Sequence, residues 1–164
     1  MNLLEIINPL EWIYRLFLSI YGGNLADYLA GYDCAQEDYV LQNLFIPIGI
    51  VAIGIALLFF VVYYYIVNSA KFNRWYHWVI VMLLVGVVNL FIGYGWTSPQ
   101  LPEIGDCLRY YVTEDGVLNK SIEVIKEGNF WLFGLANAIV SSLFFIIFSF
   151  AGKWGSRQCK YTPF

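Results

Sequence analysis

A chain of 164 residues that is 60% hydrophobic and 13% charged, with a mean hydropathy of +0.63, has too little polar surface to fold as a soluble globule; soluble domains carry about 25% charged residues. The net charge of -3 excludes the basic footprint that nucleic acid requires. The 13 Tyr and 6 Trp suit a surface lying largely at membrane interfaces, so the expected class is a single small membrane domain.

In chain order, residues 1–7 show no basic region leading into a short apolar core with a small-residue cleavage site, so no cleaved signal peptide is expected. The run Leu29-Ala30-Gly31 is not a lipoprotein signal either, because Cys34 does not follow Gly31 directly. Asn8-Pro9 reads as a helix start, an N-cap residue followed by proline where the missing N–H costs nothing. From there Glu11, Arg15 and Ser19 form one polar stripe on an otherwise apolar helix ending at Gly22-Gly23, which suits a helix lying in the interface. The rival is a fourth span over residues 9–31. It would hold Glu11, Arg15 and Asp27 in the bilayer, at about 2.5 to 3.5 kcal/mol for each central charge. A shorter helix is expected from Asn24 to Ala30, with Gly31 as its C-terminal glycine.

Residues 44–68 are the first expected span and the element around which the rest is organised. Its uncharged run 44–67, at about 1.5 Å per residue, reaches about 36 Å, against a hydrocarbon core of about 30 Å. Asp33-Cys34-Ala35-Gln36 has capping-box spacing, which would start this helix near Ala35, and Pro47 should kink it. A connector at 69–74 leads into a second span at 75–96, bracketed by Trp75, Trp78 and Trp96 as interfacial anchors. Residues 97–129 are polar and expected to form a small cap, with a short strand at 108–113 and a helix at 121–127. A third span at 130–152 and a tail at 153–164 complete the chain. The expected fold is therefore an all-α membrane protein: three transmembrane helices, an N-terminal interfacial amphipathic helix (within 1–43) and an extracytoplasmic cap.

Charge sets the expected orientation. Lys71, Arg74, Lys153, Arg157 and Lys160 lie in the connector and tail without an acidic residue, and all 12 acids fall on the other side. Basic residues near span ends orient membrane proteins, so the N-terminus is placed outside and the C-terminus in the cytoplasm, in an inner or plasma membrane. Cys34 and Cys107 then share the oxidising side and Cys159 stands alone in the cytosol, the distribution expected if Cys34 and Cys107 form a disulfide.

Chemistry is sparse. His77, flanked by aromatic residues at a span end, reads as an interface residue, since no second histidine or CxxC pair offers further metal ligands. No phosphate loop, nucleophile elbow or pair of carboxylates inside a span is present, so no cofactor or catalytic residue is expected. The polar span residues Asn89, Asn137, Ser141, Ser142 and Ser149 suit interhelical hydrogen bonds. Packing is better marked. Gly49, Ala52 and Ala56 share a face of the first span; Gly86, Asn89 and Gly93 of the second; Gly134, Ala138 and Ser141 of the third. Small residues let helix backbones approach in lipid, so these faces are expected to meet in a three-helix bundle. Leu57, Phe59, Phe60, Phe144, Phe145 and Phe148 would then face lipid or a neighbouring subunit. The expected role is a non-enzymatic structural or scaffold subunit, in a homo-oligomer or larger membrane complex. A small oligomeric channel or membrane-disrupting effector is the alternative. Membrane thiol oxidation is a remote third, because it needs closely spaced cysteine pairs and Cys34, Cys107 and Cys159 are isolated.

Overall fold

The structure, a computed structural model, describes residues 9–67, 74–113 and 117–152. Expectations for residues 1–7, for most of the connector at 69–74 and for the tail with Cys159 lie outside the described residues. Among the described residues three helices are long and apolar enough to cross a membrane: Phe45–Ile66, Trp75–Thr97 and Glu127–Gly152. The first consists of α4 (Phe45–Val61) continued by a π-helical turn, Val62–Val67; the others are α5 (Trp75–Thr97) and α7 (Glu127–Gly152).

These three helices are organised around α7 rather than around the first of them. Half of α7's most apolar stretch is buried (50%), against 33% for the first long helix and 28% for α5. The reason lies in side-chain size. α7 presents Gly134, Ala138 and Ser142 towards α5, the ring of Phe133 to Tyr14 and Tyr21, and the ring of Phe145 to Trp78 at the start of α5. Phe60 and Phe145, expected to face outward, are 7% and 0% exposed and pack in a cluster with Tyr64, Trp78 and Val85. Leu57 does face outward. Pro47 falls in the first turn of α4, where backbone N–H groups have no helical partner, so the ground for expecting a kink is removed.

The N-terminal segment is three short helices, α1 (Pro9–Arg15), α2 (Leu18–Tyr21) and α3 (Gly23–Ala30), none of them long enough to span. Gly22 (φ +95°) turns the chain between α2 and α3, and Gly31 (φ +94°) closes α3 as expected. The polar stripe is split: Ser19 is exposed, whereas Glu11 is partly buried, bonded to Arg15 at 2.8 Å and accepting from the Asn43 amide at 2.6 Å. Trp12 of α1 and Leu16 just after it are large apolar side chains left exposed.

Two hairpins depart from an all-α fold, which is mostly helical instead. β1 (Tyr32–Asp33) pairs antiparallel with β2 (Asp38–Tyr39) where a helix start was expected near Ala35. The Asp33 carboxylate does accept the Ala35 N–H (2.9 Å), but it begins a turn that ends at Glu37 in the left-handed region (φ 52°). After α5, a 3₁₀ turn (Ser98–Glu103) and α6 (Asp106–Arg109) lead to β3 (Tyr110–Val112), within the expected strand. Its partner is β4 (Leu118–Glu123), across a bulge at Tyr110/Tyr111, in place of the helix expected at 121–127.

Candidate helix-packing site

Among the glycines of the long helices, the closest backbone approach lies between α5 and α7. A Cβ on Gly134 would stand 2.6 Å from the Leu90 carbonyl oxygen, and one on Gly93 would stand 3.0 Å from the Gly134 Cα. Two turns along, Gly86 faces the Ser142 hydroxyl and Ala138, where a Cβ would meet them at 3.2 and 3.9 Å. Gly86, Gly93, Gly134 and Ala138 are therefore brought together as one seam. Side chains that elsewhere hold helices about 8–10 Å apart are absent from it.

The polar groups of the seam bond internally. Asn137 donates from Nδ2 to the Asn89 backbone carbonyl (2.8 Å), Asn89 donates to the Val85 carbonyl (3.0 Å), and the Ser141 hydroxyl donates to the Ala138 carbonyl (3.0 Å). Asn89 Oδ1 is fully buried without a hydrogen-bond partner among the described residues. At the far end the Trp78 indole donates to Ser149 Oγ (3.2 Å), and the Tyr65 hydroxyl to the Gly152 carbonyl (2.9 Å).

The third face behaves differently from expectation. Gly49, Ala52 and Ala56 are all buried on α4, but Gly49 opens onto Leu10 and Tyr14 of α1, not onto another long helix. Tyr14 fills this notch. Its ring stacks on Phe45 (centroids 5.4 Å apart) and tilts against Phe133 (5.7 Å), and its hydroxyl donates to Asn137 Oδ1. Tyr21 returns a hydroxyl bond to the Tyr14 carbonyl at 3.0 Å and sits edge-on to Phe133. Tyr14 was missed by reading small residues alone. Its signal is Tyr14 and Tyr21 recurring seven residues apart, on a face of the helical repeat separate from Glu11 and Arg15.

The parts of the polar layer are tied to one another, and at Asn129 to the bundle. Cys34 and Cys107 pair as a disulfide, with Cα atoms 6.0 Å apart and a sequence separation of 73. The bond joins the turn of the first hairpin to α6, and Gly105 is needed beneath it, since a Cβ there would lie 2.5 Å from Cys34 Sγ. Asn24 donates to the Leu108 carbonyl (2.9 Å), and Asn129 at the start of α7 donates to the Tyr21 carbonyl (2.8 Å). His77 is half-buried at the start of α5, with its ring 4.2 Å from that of Tyr76. Among the described residues no three His, Cys, Asp or Glu side chains converge as metal ligands. Searches against protein-family profiles, characterised proteins and solved structures returned no match for this chain.

Proposed function

We propose that the chain is a membrane-spanning, non-enzymatic scaffold subunit of an oligomeric membrane assembly, with the two hairpins outside and the C-terminal tail in the cytoplasm. The observation that carries this reading is the way the long helices use their surfaces. Their inward faces close by backbone contact at Gly93 and Gly134, and most of the polar side chains there are bonded to backbone or to each other. Their outward faces carry large apolar groups such as Ile50, Leu58, Leu83, Phe91 and Ile147, each at least 45% exposed, which suit lipid or a neighbouring subunit.

Closure of the α5–α7 seam by backbone contact favours a packing role over conduction by one copy. A scaffold reconstituted in liposomes should run as a defined oligomer in mild detergent and pass no ions. Sustained, size-limited conductance from the purified protein would overturn the reading in favour of an oligomeric channel. A pull-down from native membranes in mild detergent then identifies the partners.

A further inference from the structure

At the N-terminal end of α4 the polar layer forms an open cavity of about 170 Å³, lined by Tyr28, Leu41, Gln42, Leu44 and Glu103. Its shape is set by backbone. The chain after the first hairpin folds back on α3, with Leu41 N–H donating to the Gly31 carbonyl (2.9 Å) and Leu44 N–H to the Leu29 carbonyl (2.7 Å). Gly31 makes this return passable, because any Cβ there would strike the Leu41 carbonyl.

The lining is chemically one-sided. It offers a carboxylate, a carboxamide and a phenol beside two leucines, and no cation. The two segments that wall it, 23–44 and 97–108, contain Asp27, Asp33, Glu37, Asp38, Glu103 and Asp106 but no Lys or Arg. Glu103 is exposed and belongs to none of the ion pairs among the described residues. Burial, and then the nearby negative Glu103, raise the Tyr28 phenol above its ordinary value. Beside the cavity, Tyr39, Val40 and Leu41 form an exposed apolar shelf. Leu44 leads straight into α4, on which Ile50, Leu57 and Leu58 are exposed.

We propose that this cavity receives the ammonium group of an ethanolamine phospholipid, held by Glu103, with the acyl chains lying along the exposed face of α4. The inference rests on the membrane-spanning reading, which puts the start of α4 where headgroups meet acyl chains. Lipids at a bilayer surface are present at high effective concentration, so an open cavity with one carboxylate is sufficient for occupancy. A free amine in solution lacks that advantage.

The test uses purified full-length protein in nonionic detergent, titrated with dihexanoyl phosphatidylethanolamine, its N-acetyl derivative or dihexanoyl phosphatidylglycerol, and read by native mass spectrometry. One charge-assisted hydrogen bond corresponds to about a tenfold preference for the ethanolamine lipid over the other two. Glu103→Gln should abolish the preference, whereas Glu37→Gln, which removes the same charge away from the lining, should keep it. Equal binding of the three lipids, a preference that survives Glu103→Gln, or equal loss in both variants overturns the inference. So does selective binding of acetyl-Leu-Lys-Leu-amide without lipid preference, which would mark a basic side chain of a protein partner as the occupant. Carbonate extraction of the same protein from vesicles separates the two ideas. Resistance without lipid preference removes only the headgroup site, and extraction removes the spanning reading together with it.

Discussion

Replacing Gly134 by alanine adds one methyl group at the tightest point of the α5–α7 seam. The new Cβ would lie 2.6 Å from the Leu90 carbonyl oxygen and 3.3 Å from the Tyr94 nitrogen, whereas ordinary contact begins at 3.4 Å. Both neighbours are helix backbone, so neither rotates aside, and the helices must separate locally by about 0.8 Å, the difference between 3.4 and 2.6 Å. A gap of about 0.5–1 Å forfeits a quarter to a half of the dispersion energy of the atoms along it. With the Asn137 bond to the Asn89 carbonyl lying in the same seam, the expected loss is about 2–3 kcal/mol, the upper part of the range for overpacking. Gly95, on the same helix as Gly93, is the control: a Cβ there meets nothing within 4 Å. Gly95→Ala should be neutral or stabilise by up to about 1 kcal/mol through helix propensity. Both variants are compared with wild type by reversible unfolding in mixed detergent micelles, followed by circular dichroism. If Gly134→Ala matches wild type, or if Gly95→Ala loses as much, close backbone approach is not what joins these helices.

Tyr14→Phe keeps the ring and removes the donor to Asn137, leaving a buried acceptor unsatisfied; unfolding in micelles should show a loss of about 1–3 kcal/mol. The double variant Cys34→Ser/Cys107→Ser should lose up to roughly 4 kcal/mol by loop entropy, an upper figure because inserted helices already restrict the unfolded chain. A proteolytic digest analysed without reduction should contain the linked pair of peptides, and alkylation of both thiols in unreduced protein would contradict the bond. A membrane-impermeant maleimide should label a cysteine placed at Asn119 in intact cells and spare one at Asn73, and the reverse pattern would invert the proposed orientation.

The long helices were legible because composition alone decides them: a run without charge and with this hydropathy has few other places to fold. The seam was legible in part. Gly93 and Gly134 meet because small residues mark where a backbone can approach, but a notch does not say what fills it, and Gly49 is filled by a tyrosine from a helix that was expected to turn its polar side to water. The hairpins were hidden by a local ambiguity. An aspartate that bonds an N–H just ahead starts a helix or a turn equally well, and at Asp33 the outcome depends on Glu37 adopting φ 52° and on Tyr32 packing edge-on against Tyr39. The pairing of Cys34 with Cys107 was foreseen from charge distribution, a long-range argument that needed no local geometry.

The position of α7 in the chain bears on the order of assembly. The helix against which α5, α4 and the Tyr14 wedge all pack follows the other two described long helices in chain order. Until it emerges, Gly86 and Gly93 have no opposing backbone, Tyr14 has no acceptor at Asn137, and α1 and α2 have only part of their seat. The contacts among the earlier elements, including the Cys34–Cys107 disulfide, both strand pairs and the seat of α1 on α4, are made without α7, whereas the seam is not. A chain interrupted before α7 would expose the same glycine faces and the buried asparagine to whatever surrounds it. Those are the features by which an incomplete chain can be distinguished from a finished one.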